Sequence, residues 1–478
     1  MHFKGVAWTL GILTSLFGIG MSIPAAISWF YASGHALQFL LAGSMTVGIG
    51  ILLQYVGDKP ERLSHKDGFL IVVLAWISLS VLGAIPFWTT GTCTTWVDGL
   101  FESTSGLTTT GATILTDLEH TPPAILFWRS MQEWLGGMGI IVLAVAVMPL
   151  LGVGGMQLFK AEAPGPVKDK LTARVTETAK ALWYIYLGMT IIAGLTFWMA
   201  GMKAFDAINH AMTTVAIGGF STHDSSMGYY DSLWIRGLCV FFMFLAGINF
   251  TLHFAALRKG FHLKTYLFDD EFRTYLKWLS SLILLVGALT LATHKGTWDE
   301  VIFNAVAVAT TTGFAVSDYA QWPPGTSMLL LMAMFIGACA GSTGGGMKVV
   351  RVLLLFRQGM REIHRLIHPH AVIHVKINEQ SLSPTIVQAL WGFFVLYIVC
   401  FAVISILLAS TGVDMLTSLS ASAACITNTG PGFGDVGPAS TYTNLPDLGK
   451  FILLFAMILG RLEIFTFFVL LVPEFWKR

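Results

Sequence analysis

The sequence predicts an all-α integral membrane protein. Three observations carry this: an apolar composition, ten long apolar runs, and a short glycine-bearing tract that recurs four times between them. Of 478 residues, 55% are hydrophobic and 12% charged, with mean hydropathy +0.70, whereas soluble domains carry about 25% charged residues. That composition excludes a water-soluble enzyme. A helix needs roughly 20 apolar residues to cross a ~30 Å hydrocarbon core. Runs of that order occupy 5–31, 36–56, 68–89, 124–150, 180–201, 232–257, 274–294, 325–356, 385–410 and 448–472.

The first run follows Met1, His2, Phe3 and Lys4 in the manner of a signal peptide. It is longer than a signal h-region and nine further runs follow, so it is expected to be retained. Cys93, Cys239, Cys339, Cys400 and Cys425 show neither CxxC nor metal-type spacing. Neither a disulfide framework nor a zinc site is expected from them.

Charge placement sets the orientation. With a cytoplasmic N-terminus, the loops 57–67, 156–180, 258–277 and 348–376 and both tails hold 22 of the 28 Lys and Arg. The opposite face has none between 89 and 123 or between 411 and 447, and Lys203 and Lys295 are its clear basic residues. The positive-inside rule therefore places both termini in the cytoplasm and the four tracts outside. Acidic residues dominate that outer face, which attracts cations.

The tracts are ThrThrThrGlyAla at 108–112, IleGlyGlyPhe at 217–220, ThrThrThrGlyPhe at 310–314 and AsnThrGlyPro at 428–431. Asp98, Asp206, Asp299 and Asp414 precede Gly111, Gly219, Gly313 and Gly430 by 13, 13, 14 and 16 residues. The next acids, Asp117, Asp224, Asp318 and Asp435, follow by 6, 5, 5 and 5. Each interval leaves roughly 9 to 12 helical residues, about 14 to 18 Å, half of a bilayer. These are predicted re-entrant half-helices with aspartate at the N-cap or first turn. Beyond each, extended backbone is tolerated at membrane depth only where it lines a water-filled path or is buried in protein. Carbonyls of four such strands can replace the hydration shell of a monovalent cation. The candidate lining is main chain: Thr109, Thr110 and Gly111; Ile217, Gly218 and Gly219; Thr311, Thr312 and Gly313; Asn428, Thr429 and Gly430. The four trailing aspartates form a candidate outer mouth, as a binding ring or as braces. One such tract would read as an external turn; four at the same place in four repeats read as one device.

The repeats divide the chain into an N-terminal helix pair (1–57) and four helix, half-helix, helix units at 58–155, 156–258, 259–357 and 358–478, the last preceded by a cytoplasmic linker. Only the third unit has GlyAlaCysAlaGlySerThrGlyGlyGly, at 337–346. Each glycine disfavours a helix by about 1 kcal/mol, so a broken helix under the filter is expected there. Arg461 lies in the last run, where ionisable side chains face a polar interior; snorkelling or a contact with Glu463 is the structural alternative. GlyValGlyGly at 152–155 lacks a βαβ context, so no nucleotide site is expected in the chain. No cofactor is expected in the chain either. His210, His223 and His253 stand without a nucleophile or metal spacing around them, so no enzymatic function is expected. Nucleic acid is not an expected partner. ArgGlnGlyMetArgGluIleHisArg at 357–365 suits anionic lipid.

ThrThrThrGlyAlaThr at 108–113, GlyGlyPheSerThrHisAsp at 218–224, AlaThrThrThrGlyPhe at 309–314 and AsnThrGlyProGlyPheGly at 428–434 resemble the Trk/Ktr/HKT superfamily of potassium transporters over almost the whole chain. TrpArgSerMetGlnGluTrpLeuGlyGlyMetGly at 128–139, GlySerThrGlyGlyGlyMetLys at 341–348 and the N-terminal helix pair make it most similar to the bacterial TrkH/TrkG branch. The resemblance implies a pseudo-fourfold K+ filter in an inner-membrane permease. Glycine in all four strands implies passage of K+ and Rb+ over Na+, since sodium-preferring plant relatives carry serine in the first. Gly219 is chosen over Gly218 because a phenylalanine follows it, as one follows Gly313. By resemblance, Gly341, Gly344, Gly345, Gly346 and Lys348 belong to an intramembrane gating loop that Arg461 contacts. Partners implied are a second copy, forming a homodimer, and a cytosolic TrkA-type ring of RCK domains that bind NAD(H) or ATP. An ion-coupled carrier moving K+ with H+ or Na+ is the rival reading. Such carriers bury acids at the midplane, and the carboxylates here are placed in external or cytoplasmic segments.

Overall fold

The computed structural model describes residues 1–60, 63–146, 168–258, 260 and 262–477. The end of the fourth apolar run, the 152–155 glycine tract and the loop up to 167 lie outside the described residues. The chain is helical almost throughout.

The N-terminal pair is α1 (Phe3–Gly20), continued by α2 (Ser22–Phe30), and α3 (Ala36–Val56). Lipid tails offer no hydrophobic drive between helices, so small residues let backbones meet instead. A Cβ added at Gly11 would lie 2.5 Å from the Gly50 carbonyl oxygen, and one at Gly18 would lie 2.8 Å from that of Gly43. The far side of α3 leaves Leu37, Leu40, Leu41, Ile51 and Leu52 exposed, as a lipid-facing surface requires.

Four units of one pattern follow. The first has α4 (His65–Thr89), α5 (Trp96–Leu107) and α6 (Pro123–Ala146). The second has α7 (Lys168–Met199), α8 (Ala204–Ala216), α9 (Leu233–Ala246) and α10 (Phe250–Arg258). The third has α11 (Asp270–Ala292), α12 (Trp298–Ala309), α13 (Pro324–Ile336) and α14 (Val349–Ile367). The fourth has α15 (Pro384–Ala409), α16 (Met415–Ile426), α17 (Asp447–Arg461) and α18 (Phe465–Phe468). The half-helices α5, α8, α12 and α16 hold 12, 13, 12 and 12 residues, about 18 to 20 Å at 1.5 Å per residue. They are buried along most of their length.

Among the described residues, six helices are long and apolar enough to span a membrane, and two more candidates are bent pairs. The sixth apolar run is not straight: it turns by 90° between α9 and α10. The tenth turns by 101° just after Arg461. The eighth is broken between α13 and α14, as its glycines predict. One strand pair was not expected, an antiparallel hairpin of β1 (Lys376–Ile377) and β2 (Gln380–Ser381). Asn378 and Glu379 take φ of 45° and 66° at its tip, and Asp270 accepts from Asn378 N at 3.0 Å, fastening the linker to the start of α11.

Asp414 caps α16 by accepting from Thr417 N. Asp98, Asp206 and Asp299 sit one turn further in, behind Thr95, Lys203 and Thr297. Here the structure extends the charge reading: the outer half also holds Lys450, Arg236 and Arg129, each paired with an acid on a half-helix. Lys450 meets Asp98 at 2.6 Å, Arg236 meets Asp299 at 3.0 Å and Arg129 meets Glu102 at 2.6 Å. The first and third pairs are buried on both sides. Breaking a buried pair leaves an uncompensated charge, at about 3–5 kcal/mol. Lys450→Met is therefore expected to lower the Tm of the purified protein by several degrees, and Asp98→Asn in the same chain to recover most of it. Equal Tm for the single variant and the parent would contradict the pairing.

Candidate functional site

The four tracts adopt one backbone geometry. The residue two before each filter glycine is left-handed: Thr109, Ile217, Thr311 and Asn428 have φ of 51°, 56°, 66° and 54°. Gly111, Gly219, Gly313 and Gly430 follow at 75°, 89°, 81° and 94°. Gly219, rather than Gly218, occupies the equivalent place. A left-handed residue at a helix end satisfies orphan carbonyls. Accordingly Thr110 N, Gly218 N, Thr312 N and Thr429 N donate back to Ser105, Thr213, Ala307 and Ala424 at 2.8, 2.9, 2.8 and 2.8 Å.

The strands close into a ring. A Cβ at Gly111 would lie 2.1 Å from the Gly218 oxygen, at Gly219 2.0 Å from the Thr312 oxygen, at Gly313 2.0 Å from the Thr429 oxygen, and at Gly430 2.5 Å from the Thr110 oxygen. Each glycine thus abuts the carbonyl that precedes the glycine of the next strand, in the order one, two, three, four, one. No side chain fits at any of the four positions. The candidate filter residues are brought together, and Asn428 Nδ2 adds a bond to Thr110 Oγ1 at 3.0 Å across the closing seam.

Three strands are braced alike. The hydroxyls of Thr108 and Thr110, Thr310 and Thr312, and Thr427 and Thr429 bond at 2.7, 2.7 and 2.8 Å. The second strand has Ala216 and Gly218 at those places. Its support comes from α6 of the first unit: Glu133, fully buried, accepts from Phe220 N at 3.2 Å with both oxygens. Arg129 lies 4.2 Å from the Phe220 ring and donates to Ser221 O at 3.3 Å. Glu133 corrects the reading that carboxylates are confined to external or cytoplasmic segments. Its place in TrpArgSerMetGlnGluTrp was visible in the sequence, but nothing there signalled a strand partner.

The broken segment between α13 and α14 lies against three strands. Thr343 Oγ1 donates to Val215 O at 2.9 Å, Gly345 N to Thr311 Oγ1 at 2.6 Å and Gly346 N to Thr427 O at 2.9 Å. Gly344 packs against Thr310 O, where an added Cβ would stand 2.8 Å away. Gly341 and Gly346 both take φ of 71° and Lys348 takes 78°, and Lys348 Nζ bonds to Gly344 O. Arg461, 2% exposed, donates to Thr343 O at 2.9 Å and to Gly136 O at 3.1 Å. It does not pair with Glu463, which takes Arg351 instead.

A cation transport protein model, described as TrkH, matches residues 35–298 and 295–478. The chain belongs to the TrkH family. Relatives include the Trk system potassium uptake proteins TrkH of Vibrio parahaemolyticus, 46% identical over all of both chains, and TrkH of Escherichia coli (strain K12), 45% identical over all of both. TrkG of the same Escherichia coli strain is 38% identical over 100% of this chain and 99% of its own. The crystal structure of the potassium transporter TrkH from Vibrio parahaemolyticus superposes with TM-score 0.93 at 44% identity, covering 100% of each chain. The multi-pass membrane character follows from this membership and from the spanning helices.

The candidate outer mouth is less symmetric than the ring beneath it. A funnel of about 230 Å³ is lined by Gly111, Gly219, Gly313 and Pro431 at its base and by Asp117 and Asp224 higher up. Asp318 and Asp435 are not among its walls. Asp318 instead caps a short turn, accepting from Ala320 N at 3.1 Å. The histidines are not isolated: His210 Nε2 meets Ser221 Oγ at 3.0 Å, His253 Nδ1 meets the Tyr266 hydroxyl at 2.8 Å, and His223 stands between Glu119 and Asp206.

An unpaired buried N–H costs about 1–3 kcal/mol. Glu133→Ala, which strands Phe220 N, is expected to lower Tm, whereas Glu133→Gln keeps an acceptor oxygen and should hold most of the parent value. Thermal unfolding in one detergent compares the two; equal losses would mean that volume, not the bond to Phe220, is what matters.

Proposed function

We propose that the chain is a potassium-uptake permease of the bacterial inner membrane, with both termini cytoplasmic, that passes K+ and Rb+ inward through the four-strand ring. The observation that carries the reading is the closure of that ring: four identical backbone turns, each glycine against the carbonyl of the next strand. A dehydrated monovalent cation requires a cage of oxygen ligands, and main-chain carbonyls supply it whatever side chain stands beside the glycine. The funnel above is acidic and the half-helix C-termini converge on the ring, so both fields favour a cation. The relatives' names speak for K+ in particular. An inward-negative potential then contributes about 2.3 kcal/mol per charge per 100 mV, and no covalent step is needed.

The segment 337–348 acts as the gate in this reading and Arg461 as its latch. The four units 58–155, 156–258, 259–357 and 358–478 each supply one strand, and only the third supplies the gate. Trk system naming of the relatives supports partner subunits. We assign a homodimer with a cytosolic TrkA-type RCK ring carrying NAD(H) or ATP, docked on the basic cytoplasmic face. A second reading, K+ moved with H+ or Na+, draws on Glu133, a buried acid one residue from the second strand's amide.

Flux of 86Rb+ into liposomes holding the purified chain, driven by voltage alone, separates the two. Uptake is expected without a pH or Na+ gradient, and Gly111→Ser is expected to let Na+ compete at least tenfold better. Flux that requires either gradient would favour the coupled carrier. Arg461→Ala frees Thr343 O and is expected to raise 86Rb+ uptake severalfold; parental flux, with unchanged response to the cytosolic partner, would remove the latch.

A further inference from the structure

The outer mouth holds a group of side chains for which the ring has no use. Carboxylate oxygens of Asp117, Glu119 and Asp224 lie within 4.8 Å of one another, and all three residues are exposed. Beside them His223 is only 9% exposed, and neither ring nitrogen has a hydrogen-bond partner. Its Nδ1 faces Glu119 Oε1 at 3.5 Å and its Nε2 faces Asp206 Oδ2 at 3.5 Å. The ring is held flat on Tyr229, with centroids 3.5 Å apart and planes 5° apart. Two loops from different units are tied here: Leu118 N donates to Asp224 at 3.2 Å and Asp224 N to Glu119 at 3.3 Å.

We propose that Asp117, Glu119, Asp224 and His223 form a binding site for one divalent transition-metal ion of the Zn2+ class. Three converging carboxylates alone would suit a hard cation such as Ca2+. The imidazole shifts the preference toward Zn2+, which takes mixed nitrogen and oxygen ligands. A ligating histidine presents one nitrogen to the ion and donates its other N–H to a carboxylate behind it. Asp206 stands in that place, and the absence of any other bond leaves the Nδ1 lone pair free for the metal. Burial, and then the hydrogen bond with Glu119, raise the Asp224 carboxyl above its ordinary value; a metal would displace the proton retained there. Asp117, His223 and Asp224 also line the funnel, so an ion bound to them stands across the cation entry. That consequence rests on the K+ reading, whereas the binding site does not.

Tag-free full-length protein in lipid nanodiscs, stripped with chelator, is titrated calorimetrically with Zn2+ alone and with Ca2+ alone. One Zn2+ per chain is expected, bound at least tenfold more tightly than Ca2+, with at least tenfold weaker Zn2+ binding in both His223→Ala and Glu119→Gln. Zn2+ affinities within twofold of the parent in both variants would overturn the site, and so would Ca2+ binding as tight as Zn2+. In proteoliposomes, external Zn2+ should lower 86Rb+ influx of the parent reversibly, and the inhibited fraction should fall in both variants relative to their own zinc-free flux. Inhibition unchanged in both would place the blocking ion elsewhere and also overturn the site. Absence of 86Rb+ flux from the parent would defeat the K+ reading and leave calorimetry to decide the metal site by itself.

Discussion

The structure depends on satisfying backbone at membrane depth without a helix. Each half-helix must stop inside the bilayer, where an unpaired N–H or carbonyl has no water to turn to. The chain solves this with a left-handed residue followed two places on by a glycine, so the last turn folds its amides back on its own carbonyls. Because each glycine then rests on the neighbouring strand's carbonyl, no strand holds its shape alone. The ring is a mutual constraint, and the surrounding helices, buried ion pairs and braces keep four independent turns at one level.

Departures from fourfold symmetry show where that constraint is borne. Three strands are stiffened by a hydroxyl pair within the strand. The second, with Ala216 and Gly218, has no hydroxyl to offer and leans on Glu133 and Arg129 from the preceding unit. Gly218 could not simply acquire the missing threonine: an added Cβ there would lie 2.2 Å from the Glu133 carboxyl carbon. The two supports exclude each other at that position, so the carboxylate and the small residue belong together.

Much of this was legible in the sequence, and the reason is periodic. Helix class, half-helix length, the four glycines and the break in the eighth run all follow from local composition and spacing, which fix backbone geometry directly. What was not legible depends on contacts between distant segments. Lys450 sits in an apolar stretch 352 residues from Asp98, and Glu133 is 87 residues from Phe220, so neither partner is marked by spacing. The bends after Ala246 and Arg461 are equally silent, because apolar runs of bent and straight helices look alike. The fourfold aspartate spacing at the outer mouth over-read the symmetry: Asp318 follows its glycine at the same distance as Asp224, yet caps a turn of its own.

Arg461 shows how a buried charge can be held without being committed. Its two bonds go to main-chain carbonyls, Thr343 O in the loop and Gly136 O in α6, its Nε has no partner, and among the described residues no carboxylate pairs with it. A carboxylate partner would bind it at several kcal/mol, too firmly for a contact that has to open. Carbonyl bonds to a charged donor contribute about 1.5–3 kcal/mol each, within reach of a partner protein's binding energy. The loop's own sequence points the same way. Glycines at 341, 344, 345 and 346 oppose helix formation, while the bonds of the segment to three strands hold it in place. An element that disfavours regular structure and is held by a few separable bonds is suited to two positions, and the 101° bend directly after Arg461 keeps the guanidinium aimed at it from the side.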